Sequence, residues 1–104
     1  MAMFLFSYRM PKGYTPGRTD AMAAWNAWFD SMDDAVLDRG NPVFESTTVG
    51  TCGAGTAPGG YSLITADSLD AALTLAKGCP ALENGAGVEV GVITELNRGN
   101  RLID

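Results

Sequence analysis

The chain predicts an α+β domain in the order strand–helix–strand–strand–helix–strand, and three observations lead there. Two segments carry apolar residues at helical spacing, with recognisable ends. Four short segments are rich in aromatic and β-branched residues and lack that period. Stretches rich in glycine and proline separate them. At 104 residues the chain is expected to form a single domain around one core, spanning 1–104, with 97–104 as a polar tail.

The first strand is expected over Met3 to Tyr8, "MFLFSY", apolar at both parities and so covered on both faces. "RMPKGYTPGR" follows, a loop by its two prolines and two glycines. A helix then starts at Thr19 or Asp20, whose side-chain oxygens suit an N-cap. Met22, Trp25, Phe29, Met32 and Val36 recur at spacings of three and four, and Trp28 widens that stripe. Asp30, Asp33, Asp34 and Asp38 fall on the flanks and the far side, and Gly40 supplies a C-terminal stop.

"PVFESTTVG", Pro42 to Gly50, reads as the second strand, "TCGAGTAPGG" as a loop or wide hairpin connection, and "YSLITA" as the third strand. The second helix is expected to be capped by Asp67, with Asp70 in an acidic first turn that suits the helix dipole. Leu69, Ala72, Leu73 and Ala76 form its buried stripe, and Gly78 and Pro80 end it. "GVEVGVITEL", Gly87 to Leu96, is the last strand. With right-handed crossovers, this order gives a ferredoxin-like arrangement: a four-stranded antiparallel sheet with both helices on one face. The apolar residues of the other parity then need cover, which a homodimer packed through the sheet face would provide.

Composition removes several function classes. The formal net charge is −5, and the seven Lys and Arg are scattered singly. Nucleic acid needs a basic stripe to neutralise phosphates, so no nucleic-acid partner is expected, and an anionic membrane surface is disfavoured on the same grounds. The apolar run Ala2 to Phe6 is too short for a signal peptide or a membrane span, so a cytoplasmic protein is expected. Cys52 and Cys79 are too few for a disulfide framework and read as buried or incidental thiols, with a single bridge as the alternative.

The chain contains no histidine, which excludes Ser-His-Asp and Cys-His relays and a histidine metal site. General acid–base work would fall to carboxylates, tyrosine or lysine, whose pKa values need burial to approach neutrality. "GTCGAGTAPGG" is no phosphate loop: Thr56 and Ala57 stand where a Walker sequence needs Lys and Ser/Thr, Pro58 replaces the third glycine of a dinucleotide fingerprint, and a strand follows. The aspartates of "DSMDD" read as a solvated face rather than a cation site. Trp25 and Trp28 read first as core and second as the lining of an apolar cleft. Glu45 and Glu89 lie in expected strands; an inward-pointing Glu45 with Tyr8, Arg9 or Tyr61 as partner would be a site, with Arg9 closing the cleft over an anionic ligand.

The segments "AMAAWNAWFDSMDDAVLDRG", "GGYSLITADSLDAALTLAKGCPAL" and "GAGVEVGVITEL" together resemble the YCII-related family, especially its DGPF-domain branch. The likeness spans roughly residues 2 to 96. It implies a ferredoxin-like subunit assembled as a dimeric α/β barrel, similar to muconolactone isomerase, with a cleft beside each sheet. Enzymatic members of the family have been suggested on a His–Asp pair, which has no counterpart in a chain without histidine. The DGPF tetrapeptide is likewise absent; "STTVGTCGAGTAP" occupies the region between Glu45 and Gly59. The resulting expectation is a non-catalytic dimeric module that binds a small molecule or serves an accessory or regulatory role. The alternative is an enzyme of lyase or isomerase type acting on a small metabolite in the cleft. Neither requires a metal or organic cofactor. Candidate cleft residues are Tyr8, Arg9, Trp25, Trp28, Glu45 and Tyr61.

Overall fold

Along strand β1 (Ala2–Pro11), Phe4, Phe6, Tyr8 and Met10 are buried, while the alternate residues are half-buried. That alternation sets the two layers of the molecule. The computed structural model describes residues 1–14 and 19–95, without the side chains of Thr19, Asp20 and Asn84. Helix α1 (Thr19–Met32) is followed by a 3-10 turn (Asp33–Ala35) and by strand β2 (Val36–Asp38). Strand β3 (Thr56–Ala66), helix α2 (Leu69–Ala76), a second 3-10 turn (Pro80–Asn84) and strand β4 (Gly87–Ile93) complete the order. The sheet is antiparallel with strand order β2-β3-β1-β4, the ferredoxin-like topology expected from the sequence.

Both helices cover the face that carries Phe4, Phe6, Tyr8 and Ile64. Trp28, Phe29 and Met32 come from α1, and Ala72 and Ala76 from α2. Small residues on α2 let its backbone approach the sheet, while the bulk needed to fill the layer comes from α1. Trp28 stacks against Phe6, with ring centroids 6.2 Å apart. Its Nε1 donates to the Leu75 carbonyl at 3.2 Å, which ties the two helices together. Gly78 permits that approach, because a Cβ there would meet the Trp28 indole at 3.2 Å.

Several expectations need correction. Helix α1 ends at Met32 rather than near Gly40, because Asp33 takes a left-handed φ of 49° and Val36 pairs with Ile64 in the sheet. Pairing β-branched, half-buried Val36 as a strand residue outweighs its weak helical periodicity. The second strand is therefore Val36–Asp38, not Pro42–Gly50. Pro42 makes a single bridge to Gly60, Val43 donates to the Gly59 carbonyl, and the chain then departs as an arm whose residues 44–55 are all exposed. The third strand starts earlier, at Thr56, because a bulge at Gly59 lets "TAPGG" continue the ladder with β1. The cap of α2 is Ser68, whose Oγ accepts from the Ala71 N–H at 3.1 Å, and Leu69 and Leu73 are exposed rather than buried. Met22 is likewise exposed. The cap read on Thr19 or Asp20 and the tail at 97–104 lie outside the described residues.

Cys52 is exposed and Cys79 buried, and both are free thiols. No helix among the described residues is long and apolar enough to cross a membrane.

Gly40 carries the tightest backbone contact in this layout. Its φ is 74°, and a Cβ there would overlap the Tyr61 carbonyl. Gly40→Ala is expected to cost about 2–3 kcal/mol in denaturant unfolding. Gly53→Ala, on the exposed arm with nothing near its Cβ position, should change stability by less than about 0.5 kcal/mol. Equal effects of the two substitutions would contradict the packing described for Gly40.

Candidate functional site

After β2 the chain turns and runs along the edge of β3 without forming a regular strand. The Gly40 N–H donates to Asp38 Oδ1 at 2.8 Å, which closes the turn. The Asn41 carbonyl accepts from the Tyr61 N–H at 3.3 Å, and the Val43 N–H donates to the Gly59 carbonyl at 3.1 Å. Residues 39–43 therefore stand as a wall opposite α1. Between them lies a cleft of about 350 Å³, lined by Tyr8, Met10, Trp25 and Phe29 in its interior and by Asn26, Arg39, Asn41, Phe44 and Tyr61 among others at its rim. That volume is at the small end of ligand pockets, and its lining is mainly apolar.

Beneath the cleft, reached through Tyr8, runs a directed chain of hydroxyl groups. Ser62 Oγ lies 2.6 Å from the Arg39 carbonyl, which can only accept, so the Ser62 proton goes there. Tyr8 must then donate to Ser62, at 2.7 Å. Both groups are buried, and their bonds anchor the wall to β1 and β3 at once. The Tyr8 proton is committed to this chain and is held firmly. Burial raises the Tyr8 pKa well above the ordinary tyrosine range; the bond to Ser62 pulls it down, and the charge of an ionised Cys79 adds a smaller upward push. Burial also pushes the Cys79 thiol up to about 11, against a smaller opposing effect of the Ala81 backbone.

Aromatic rings form the side of the cleft. Trp25 meets Tyr8 edge to face at 4.6 Å and packs on Phe29 at 6.0 Å. Arg39 lies over Phe29, with 5.1 Å from its guanidinium carbon to the ring centroid. Asn41 Nδ2 donates to the Tyr61 hydroxyl at 3.2 Å at the opposite rim.

Of the six residues nominated from the sequence, Tyr8, Trp25 and Tyr61 come together here. Trp28 does not: it is core, with its N–H used by Leu75. Arg9 shares a register with Pro58 and Gly87 and bonds to Thr56 through Nε and Nη2 at 3.3 and 3.2 Å, away from the cleft. Strand alternation places it on the face opposite Tyr8. Glu45 is exposed on the arm rather than inward in a strand, because no strand forms there, and Glu89 is exposed on β4. Sequence reasoning missed Arg39, Asn26, Asn41 and Ser62. Ser62 was detectable, since it shares parity with Ile64 and Ala66 in "YSLITA" and so had to be a satisfied polar group on the core face. Arg39 was hidden by the overlong helix.

The fold and site together define a ferredoxin-like α+β domain with a small aromatic cleft between its first helix and a sheet edge. A solved structure of similar fold is the 5-chloro-2-hydroxyhydroquinone dehydrochlorinase of Burkholderia phenoliruptrix AC1100, in complex with 2,5-dihydroxybenzoquinone. The two are 23% identical with a TM-score of 0.59, over 84% of this chain and 90% of that one. No protein-family model matches the chain, and no curated protein matches it.

The buried hydroxyl and thiol couple folding to alkaline pH. The folded state holds both protons more tightly than the unfolded chain, so their contribution is intact below about pH 9. It falls as pH rises, through 9 to 11 for Cys79 and from 10 upward for Tyr8, by about 1.4 kcal/mol per pH unit for each group. Tyr8→Phe and Cys79→Ala should each flatten the loss of unfolding free energy over this range. An unchanged slope in both variants would contradict the assignment. Ser62→Ala, which strands the Tyr8 hydroxyl and the Arg39 carbonyl together, should cost about 2–4 kcal/mol at neutral pH.

Proposed function

We propose that the chain is a non-catalytic module that binds a small aromatic molecule in this cleft. One observation carries the reading: the cleft is walled by Tyr8, Trp25, Phe29 and Tyr61, yet no histidine, carboxylate, lysine or thiol is among its described lining residues. A general acid or base has to reach the reacting atom with a proton to move. The Tyr8 hydroxyl, the most enclosed candidate, has its proton engaged by Ser62 and a pKa raised far from neutrality. The ring-lined cavity is suited to binding, and its described lining holds no carboxylate, imidazole, amine or thiol to move a proton.

The YCII-related resemblance supports the same assignment at the level of architecture, and with it a homodimer. The sheet face opposite the helices carries Met3, Leu5, Leu63 and Ile93 in adjacent register. Two copies packed through that face, as in the dimeric α/β barrel the resemblance implies, would cover these side chains. Light scattering at micromolar concentration should then give twice the chain mass, and Leu5→Arg should return it to one chain.

An enzyme of lyase or isomerase type is the second reading, favoured by the dehydrochlorinase activity of the structural neighbour. It would have to work through Tyr8, Tyr61 or Arg39.

The two Trp side chains separate the outcomes of a binding test. Trp25 lines the cleft, whereas the Trp28 N–H is fixed to Leu75. Titration with 2-naphthol and with 2,5-dihydroxybenzoquinone, followed by ¹H–¹⁵N spectra, should move the Trp25 indole resonance and leave that of Trp28 nearly still. No response to either probe at millimolar concentration would remove the ligand-binding reading. Conversion of 5-chloro-2-hydroxyhydroquinone, followed by chloride release, would replace the non-catalytic reading with the enzymatic one.

A further inference from the structure

Arg39 is the one charged residue among the described residues lining the cleft, and its surroundings indicate which ligand it receives; this inference rests on the reading of the cleft as a ligand site. Its guanidinium donates to Asn26 Oδ1 at 3.2 Å and to Asp30 Oδ1 at 2.6 Å, which occupies only part of a five-donor fork. The fork stands on a seam. On one side is the aromatic cleft; on the other is an open groove of about 450 Å³ lined by Asp30, Asp33 and Asp38. Phe29 and Arg39 are common to both concavities.

This partition matters electrostatically. The carboxylates belong to the groove, and none lines the cleft among the described residues. The Arg39 and Asp30 side chains are 47% and 73% exposed, so their pair contributes at most about 1 kcal/mol and can share the cation with a ligand. The stack on Phe29 and the bond to Asn26 hold the guanidinium at the cleft rim regardless. At the opposite rim the cleft offers amide and phenol groups, from Asn41 and Tyr61, that suit a ligand oxygen. A dianion such as a phosphate monoester does not fit, since no second cation is among the described lining residues and three aspartates sit across the seam. A planar carboxylate carries one charge, matches the fork of Arg39 and leaves its ring to the aromatic wall.

We propose that the cleft selects planar aromatic monocarboxylates, with the ring against Tyr8 and Trp25 and the carboxylate on Arg39.

The test compares 2-naphthoate with 2-naphthamide, its neutral isostere, by calorimetry and by the Trp25 indole resonance. In the unaltered protein the acid should bind roughly tenfold tighter or more, the scale of a charge-assisted hydrogen-bonded pair. Arg39→Gln should bring the acid-to-amide ratio close to one, and Arg39→Lys should keep part of it by charge without the fork. Should the glutamine variant fail to fold, the lysine variant still reads the ratio. Equal binding of acid and amide, or a preference for the acid that survives in Arg39→Gln, would overturn this proposal and leave the ligand-site reading standing. Failure of both compounds to bind the unaltered protein would overturn the two together.

Discussion

The hydroxyl chain from Tyr8 through Ser62 to the Arg39 carbonyl is the constraint on which the rest of the site depends. It joins β1, β3 and the exit of β2 at one buried point, and each bond has a fixed direction. In an interior of low dielectric, a broken link would leave a polar group unpaired, which costs more than the bond itself contributes. Among the described residues no buried side-chain nitrogen or oxygen lacks a partner. The wall made by residues 39–43 is therefore set by the core, and the cleft is held open by the same atoms that stabilise the sheet.

A second constraint is the divergence of two tryptophans three residues apart on α1. Three helical steps turn by about 300°, so the neighbours point to related but different directions. Trp28 goes down onto Phe6 and reaches α2, while Trp25 leans over Tyr8 toward the wall. One helix face thus supplies both the largest core side chain and the main surface of the cleft. The two indoles touch each other at 5.6 Å and share Tyr8 and Phe29, but only Trp28 reaches Phe6 and Leu75, and only Trp25 lines the cleft.

The ferredoxin-like order was legible because its signals are local: the alternation in "MFLFSY", the Ser/Asp-rich entry to α2 and the Gly78 and Pro80 stop. The errors in the first helix and the second strand share one origin. Val36 fits a helical stripe and also a strand, and only its pairing with Ile64 decides between them. A helix running to a stop at Gly40 leaves Arg39 without a role, and Pro42 to Gly50 must then supply a strand that the sheet does not need. The cleft was partly legible. Tyr8 and Trp25 announced themselves as aromatic residues near the sheet and helix, whereas Arg39 and Asn41 act only through a backbone path that turns on Gly40. Arg9 and Glu45 looked suitable by charge, but strand parity and an unpaired arm carry them elsewhere.

The arm at residues 44–55 has a different kind of significance. Among its side chains Val49 is 95% exposed, and the arm is rooted by the Val43 bond at one end and the start of β3 at the other. Chain closure across such a segment depends only weakly on its length, with a doubling adding about 0.6 kcal/mol. Insertions, deletions and wholesale replacement there are nearly invisible to folding, while Phe44 keeps the root of the arm at the cleft. The arm can thus change in length and sequence beside the cleft without rebuilding the domain beneath it.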